Sequence, residues 1–163
     1  MKSFILTTAV IFFALITTHT QAATKDRGVS NFSKEQFAFD FDHPSDATWR
    51  RTYLFDEVHF TQDGKKYTAF YDTHSQLVGT TSIIQFDGLP LHAQQEIKKN
   101  YKDYSVESII CYNDNELNAT DIELFGLQTD AADSYFVELK KANKRIILQV
   151  FTSGDVTFFH DMK

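Results

Sequence analysis

Val58-His59-Phe60-Thr61-Gln62-Asp63-Gly64-Lys65-Lys66-Tyr67-Thr68-Ala69-Phe70-Tyr71 is the stretch that decides the fold. Val58 and Phe60 before Asp63-Gly64, and Tyr67, Ala69 and Tyr71 after it, alternate with polar or outward neighbours. Successive side chains of a strand point to opposite faces, and Asp-Gly tolerates the positive φ of a two-residue turn, so the pattern predicts a β-hairpin. Shifted by 79 residues, the pattern returns. Val137 and Leu139 fall on the first strand, Ala142-Asn143 with Lys144-Arg145 on the turn, and Ile146, Leu148 and Val150 on the second strand. Ser75 then falls on Gly154 and Leu77 on Val156. A duplicated β unit follows.

Working outward, each unit is preceded by a helical pattern. Ser33 and Gln36 have capping-box spacing, and Phe32 and Phe37 sit where a hydrophobic staple closes. Phe37 and Phe41 would share one face of a short helix ending before His43-Pro44, although Phe37, Phe39 and Phe41 also alternate with period two. The second helix is clearer: Leu89-Pro90 introduces Leu91 to Asn100 or Tyr101. Ala93, Ile97 and Tyr101 lie on one face, and Gln94, Gln95, Lys98, Lys99 and Lys102 on the other. Strands are expected at Trp49–Phe55, Asp56–Thr61, Lys66–Asp72, Leu77–Ile84, Val106–Tyr112, Ser134–Lys140, Lys144–Phe151 and Val156–His160.

Aligning the helices, Phe37 with Ile97 and Phe41 with Tyr101, requires an offset of 60 rather than 79. The 19 extra residues therefore enter between the first two strands of the second unit. Residues 113–133 fit that place, with six acids, no Lys or Arg, and a strand-like core at Ile122-Glu123-Leu124-Phe125 that reads as a hairpin extension. The expected fold is α+β and two-layered: a tandem repeat of helix plus antiparallel sheet, with about eight strands. Residues 32–163 form one domain, made of repeats at about 32–86 and 87–163.

Residues 1–22 read as a signal peptide. Lys2 is followed by the apolar run Phe4–Ile16, and Thr20-Gln21-Ala22 supplies small residues for cleavage. The run is shorter than the roughly 20 residues a membrane span needs. Residues 23–31, with Gly28, read as a flexible lead-in. Removing Lys2 and no acid shifts the formal charge from −6 to −7. That sign disfavours nucleic acid and anionic membranes as partners. Cys111 is the one cysteine, so no internal disulfide holds the fold, and its apolar strand context reads as a buried structural thiol.

Trp49, Phe55-Asp56-Glu57, Phe60-Thr61, Asp63-Gly64-Lys65-Lys66, Ala69-Phe70-Tyr71-Asp72 and Leu77-Val78-Gly79-Thr80-Thr81 together resemble the secreted PepSY-like, β-lactamase-inhibitor-like family. So do Leu89-Pro90, Ala93-Gln94, Glu96-Ile97, Tyr101, Tyr104 and Tyr135-Phe136-Val137-Glu138-Leu139. The resemblance covers about residues 36–160. It implies a tandem helix-plus-sheet layout like that of the β-lactamase inhibitory protein, and a role in inhibiting or regulating an enzyme such as a peptidase. It carries no catalytic residue with it. His74-Ser75 departs from the family pattern, which places Gly in that turn.

No catalytic, cofactor-binding or metal-ligating set stands out. His43, His59, His74, His92 and His160 lack the spacing of a metal site. The acidic stretch from Asn113 to Asp121 invites a calcium reading, in which the chain binds or senses a cation or small ligand, but no register supplies the Gly and terminal Glu of an EF-hand loop. Asn31-Phe32-Ser33 and Asn118-Ala119-Thr120 match a glycosylation triplet that recurs by chance. No nucleophile elbow, phosphate loop, Cys-x-x-Cys or H-E-x-x-H occurs, so nothing argues for an enzyme or a bound cofactor.

The repeat does fix a parity. If Val58, Phe60, Tyr67, Ala69, Tyr71 and their counterparts face the helices, then Thr68, Phe70, Phe136, Glu138, Ile147, Gln149 and Phe151 face away, with His59 and Phe159 beside them. An apolar sheet face that no helix covers is a candidate surface for a protein partner. The alternative is that the insert, the amino-terminal segment or a second copy covers it.

Overall fold

Both helices lie on one face of one continuous antiparallel sheet. In the computed structural model, which describes residues 28–162, the elements run in this order: α1 (Asn31–Asp40), β1 (Ser45–Arg51), β2 (Asp56–Gln62), β3 (Lys65–Tyr71), β4 (Leu77–Ile83), α2 (Leu91–Asn100), β5 (Ser105–Asp114), β6 (Ile122–Leu124), β7 (Leu127–Thr129), β8 (Ser134–Lys141), β9 (Lys144–Phe151) and β10 (Val156–Met162). Eight strands pair in the order β1-β2-β3-β4-β5-β8-β9-β10, while β6 and β7 form a separate hairpin. The expected α+β, two-layer class is the one observed. The signal peptide expected at 1–22 and positions 23–27 of the expected lead-in lie outside the described residues.

The two hairpins have corresponding cross-strand registers. Val58 pairs with Ala69 and Phe60 with Tyr67, as Val137 pairs with Leu148 and Leu139 with Ile146. Asp63 and Gly64 take φ of 51° and 73°, the left-handed pair that a twisted two-residue hairpin turn requires. Ala142 holds φ 53° in the other copy. The next turns also correspond: Ser75 (φ 63°) and Gly154 (φ 94°) are both left-handed, each donating its N–H three residues back, to Asp72 and Phe151. Ser75 thus fills a position that glycine usually occupies.

Cross-strand partners Phe60, Tyr67, Ser82, Cys111, Tyr135, Val150 and Val156 form one row on the helical face. Each helix covers its own half of that face. Phe37 of α1 sits against Phe41, Trp49 and Phe60 at ring-centre distances of 5.3, 5.4 and 5.0 Å. Ala93 and Ile97 of α2 pack on Ile109, Val137, Leu139, Ile146, Leu148 and Val150. Burying a side chain of this size contributes about 1.5–3 kcal/mol, so these clusters contribute heavily to the fold's stability.

Three local expectations change. The N-cap of α1 is Ser30, whose hydroxyl accepts the Phe32 N–H, so the helix begins one turn before Ser33. The cause is long-range: Asp56, buried on β2, accepts the Ser30 N–H at 3.1 Å, the Ser33 hydroxyl at 2.8 Å and Arg51 at 2.8 Å. The carboxylate thereby meets the helix's exposed donors from across the sheet. Ser30 is therefore an anchored residue and not part of a loose lead-in. Phe32 is 75% exposed, so no staple forms. Finally, the first strand spans Ser45–Arg51 rather than Trp49–Phe55. Thr52 turns the chain by exchanging backbone and hydroxyl hydrogen bonds with Phe55.

Candidate functional site

The face turned away from the helices carries the row His59, Thr68, Thr81, Tyr112, Ser134 and Phe151. Beside it run Phe70 and Gly79 on β3–β4, and Ile110, Phe136 and Gln149 on β5, β8 and β9. The parity is the one expected from the repeat, but the face is covered in part, by the insert that was the alternative to an open surface. Phe70, Phe136 and Ile147 are buried in a cluster with Phe55, Val78, Tyr112, Ile122, Leu124 and Ala131. Phe136 meets Phe125 of the insert and Phe159 of β10 at 6.1 and 5.0 Å, and Phe55 stands edge-on to Phe70 at 5.9 Å.

The expectation that these three residues stand open to a partner is therefore corrected. The insert hairpin and the β1–β2 loop fold over them, because Ile122 and Leu124 need an apolar surface of their own. The acidic insert's position is held by Asp72. That buried carboxylate takes the N–H groups of His74 and Gln76 on one oxygen and the Asn118 amide on the other.

The remaining predicted residues divide. Glu138 is half-buried, accepting the Ser108 hydroxyl at 3.0 Å and facing Arg145 at 3.4 Å. Gln149 donates to the Ser134 hydroxyl at 3.1 Å. Phe151 is 38% exposed at the margin of the covered region. Thr68 lies with His59 in the open part, their Oγ1 and Nδ1 atoms 2.8 Å apart.

That open part is a groove of about 800 Å3 over β2–β5, lined by His59, Thr61, Lys66, Thr68, Thr81, Ile83 and Ile110. Ile83 is 66% exposed there. Threonines and a histidine offer hydrogen-bond donors and acceptors around two isoleucines, a mixed polar and apolar lining typical of protein contact surfaces. The parity argument located His59 and Thr68, but Ile83 and Ile110 lie outside the repeated hairpin and were missed. The signal for Ile83 was the run Thr80–Ile84, which alternates weakly because polar Thr and Ser occupy both faces.

Elsewhere the chemistry is that of structure. His92 Nδ1 lies 3.1 Å from the Gly154 carbonyl, and His43 is exposed 3.4 Å from Asp42. Among the described residues no three His, Cys, Asp or Glu side chains converge where a metal ion could be held, so the calcium reading of the insert has no assembled ligand set behind it. Burial, reinforced by the Asp133 carboxylate, pushes the Cys111 thiol above its ordinary value, which suppresses the nucleophilic thiolate. No described helix is long and apolar enough to cross a membrane.

Two tyrosines make the fold sensitive to alkali. Burial, followed by neighbouring carboxylates, holds the Tyr71 and Tyr112 phenols well above 10. Tyr71 donates to Asp40 at 3.0 Å and Tyr112 to Asp114 at 2.9 Å. In the unfolded chain both ionise near pH 10, so their contribution is complete below that pH and is lost as pH rises above it. The expected loss is about 1.4 kcal/mol per pH unit for each tyrosine. Far-ultraviolet circular dichroism and absorbance at the phenolate band should show ionisation of both together with cooperative unfolding. An unchanged alkaline midpoint in Tyr71→Phe/Tyr112→Phe would contradict this assignment.

No family model and no curated protein matches the sequence. Solved structures do resemble the fold. A BLIP-like protein from Bacteroides fragilis shares 12% identity at a TM-score of 0.62, covering 82% of this chain and 84% of the other. A DUF2874 family protein from Bacteroides uniformis gives 11%, 0.65, 82% and 89%. A protein from Bacteroides eggerthii, assigned provisionally to the periplasm, gives 9%, 0.67, 82% and 88%.

Proposed function

We propose that this chain is an exported, non-catalytic protein-binding domain that holds another protein against the open half of its helix-free sheet face, restraining an envelope enzyme such as a peptidase. The observation that carries the reading is the groove over β2–β5, where exposed Ile83 stands among His59, Thr68 and Thr81 on a rigid sheet. A preformed surface of this kind binds with little ordering cost, since the strands beneath it are already fixed by pairing on both sides. Likeness to a BLIP-like protein supports the layout, and the leader at 1–22 supports export. The PepSY-like resemblance and the two-repeat domain organisation belong to the same reading.

The test is crosslinking and pull-down of the exported protein from its own cell envelope, compared with Ile83→Glu and Thr68→Arg. Both positions face the groove, so both variants should keep the circular dichroism spectrum of the parent. Each should weaken capture of the specific partner by about tenfold or more, the effect of disrupting a central contact residue. Equal capture by parent and both variants would remove this face from the reading.

A further inference from the structure

Lys98, Lys99, Lys102, Lys140, Lys141 and Lys144 gather at the end of the sheet remote from the insert. There the last turn of α2 and the start of β5 form a groove of about 340 Å3, lined by Phe86, Ile97, Tyr101, Tyr104, Val106 and Leu139. Ile97 and Leu139 are its buried floor. Lys98 and Lys102 stand on its rim. The Lys98 ammonium lies 5.3 Å from the Phe86 ring centre, and Lys141 lies 5.7 Å from that of Tyr104. Lys141 is neutralised by Asp103 at 3.1 Å. Lys98 and Lys102 make no ion pair among the described residues. An apolar slot with uncompensated positive charge at its mouth suits an acidic segment that offers one bulky apolar side chain.

The chain itself carries such a segment. Between Asp114 and Asp121 the insert turns at Glu116-Leu117, where Leu117 is 95% exposed and its N–H is held by the Asn115 side chain. The insert has six acids and no Lys or Arg. Strand β5 separates tip from groove: Ser105 pairs with Lys140 at the groove end, and Tyr112 with Ser134 at the insert end. Ten residues of strand span roughly 30 Å, so the tip cannot enter its own groove.

We propose that the groove receives the insert tip of a second copy, with Leu117 seated among Phe86, Tyr101 and Tyr104 and Glu116 beside Lys98 and Lys102. The contact joins unlike surfaces, so it is heterologous. The net negative charge repels two copies at a distance. That repulsion is screened beyond about 8 Å at physiological salt, whereas tip and groove attract in contact. One anchor side chain and a few exposed charges support weak association, with a Kd of about 0.1–1 mM.

Sedimentation equilibrium on the chain starting at Ala23 tests this, from about 0.01 to 1 mM and at low and high salt. The average mass should rise with concentration at low salt, and the association should weaken about tenfold at high salt. It should be lost in Lys98→Glu/Lys102→Glu and equally in Leu117→Lys. All three positions are exposed, so circular dichroism should be unchanged. Mixing the two variants should restore a 1:1 species, since each supplies the half the other lacks. A parent that stays monomeric throughout, association that survives either variant, or a mixture that stays monomeric while the parent assembles would each overturn the proposal. So would binding of a peptide of residues 113–121 to a chain that does not self-associate, because it would assign the groove to another acidic partner.

Discussion

Phe136→Ala lowers the free energy of unfolding by about 3–5 kcal/mol, the cost of emptying a fully buried aromatic site. Phe136 has no exposed surface. Its ring is clasped by Phe159 at 5.0 Å and Phe125 at 6.1 Å, above a sheet that supplies Ile147 and below an insert that supplies Ile122 and Leu124. Removing it leaves a cavity that sheet and insert cannot close together, because the strand beneath is paired on both sides with β5 and β9. On an open sheet face the same truncation would cost well under 1.5 kcal/mol, as only part of the ring's area would leave contact. Urea unfolding therefore separates a covered face from an open one. A loss below about 1.5 kcal/mol would mean that the insert does not seal this region in solution.

Gly79→Ala is expected to cost about 3 kcal/mol or more, at or above the upper range for overpacking. A Cβ on Gly79 would lie 2.7 Å from the Asn113 carbonyl oxygen and 2.7 Å from both the ring edge and hydroxyl oxygen of Tyr112. The carbonyl is main chain in β5, held opposite Thr80 by strand pairing, and cannot yield without breaking the β4–β5 ladder. The Tyr112 ring is buried, with its hydroxyl tied to Asp114. In a Tyr112→Ala background, two of the three close contacts vanish while the carbonyl remains. The two substitutions should then combine to less than the sum of their separate costs. Thermal unfolding of the four proteins in the cycle measures this, and strict additivity would show that the ring is not what Gly79 accommodates.

Local patterns in the sequence were enough for the hairpins, for α2 and for the parity of the strands, because alternation and helical spacing are properties of neighbouring residues. The start of α1 was not legible, since Ser30 is selected over Ser33 by Asp56, a partner 26 residues away. The cover over Phe70, Phe136 and Ile147 stood only as an alternative for the same reason. Ile122 and Leu124 announce an apolar strand edge, but nothing near them names the surface they bury. The groove at the end of α2 was hidden differently. Lys98, Lys99 and Lys102 look like the ordinary solvated, dipole-complementing end of a helix. Only the fold brings Phe86, Tyr104 and Leu139 beside them.

The paired turns at Ser75 and Gly154 have a consequence for how the halves could change over time. They share a backbone shape, yet each has become committed to its own helix. Ser75 Oγ lies 2.9 Å from the Ser33 hydroxyl and 3.1 Å from that of Ser30, joining the polar anchor of α1. At Gly154 a Cβ would stand 3.1 Å from the Cβ of His92 and 3.3 Å from that of Pro90, because the first turn of α2 rests on that backbone. Glycine at 75 would remove a hydroxyl from the buried network, and serine at 154 would set a Cβ 3.1 Å from His92 and 3.3 Å from Pro90 at a left-handed φ, so that the first turn of α2 would have to give. Two positions that correspond in backbone shape hold opposite chemistries. Exchange of sequence between the two turns would be opposed from both sides, by lost hydrogen bonds at 75 and by a tight left-handed site at 154.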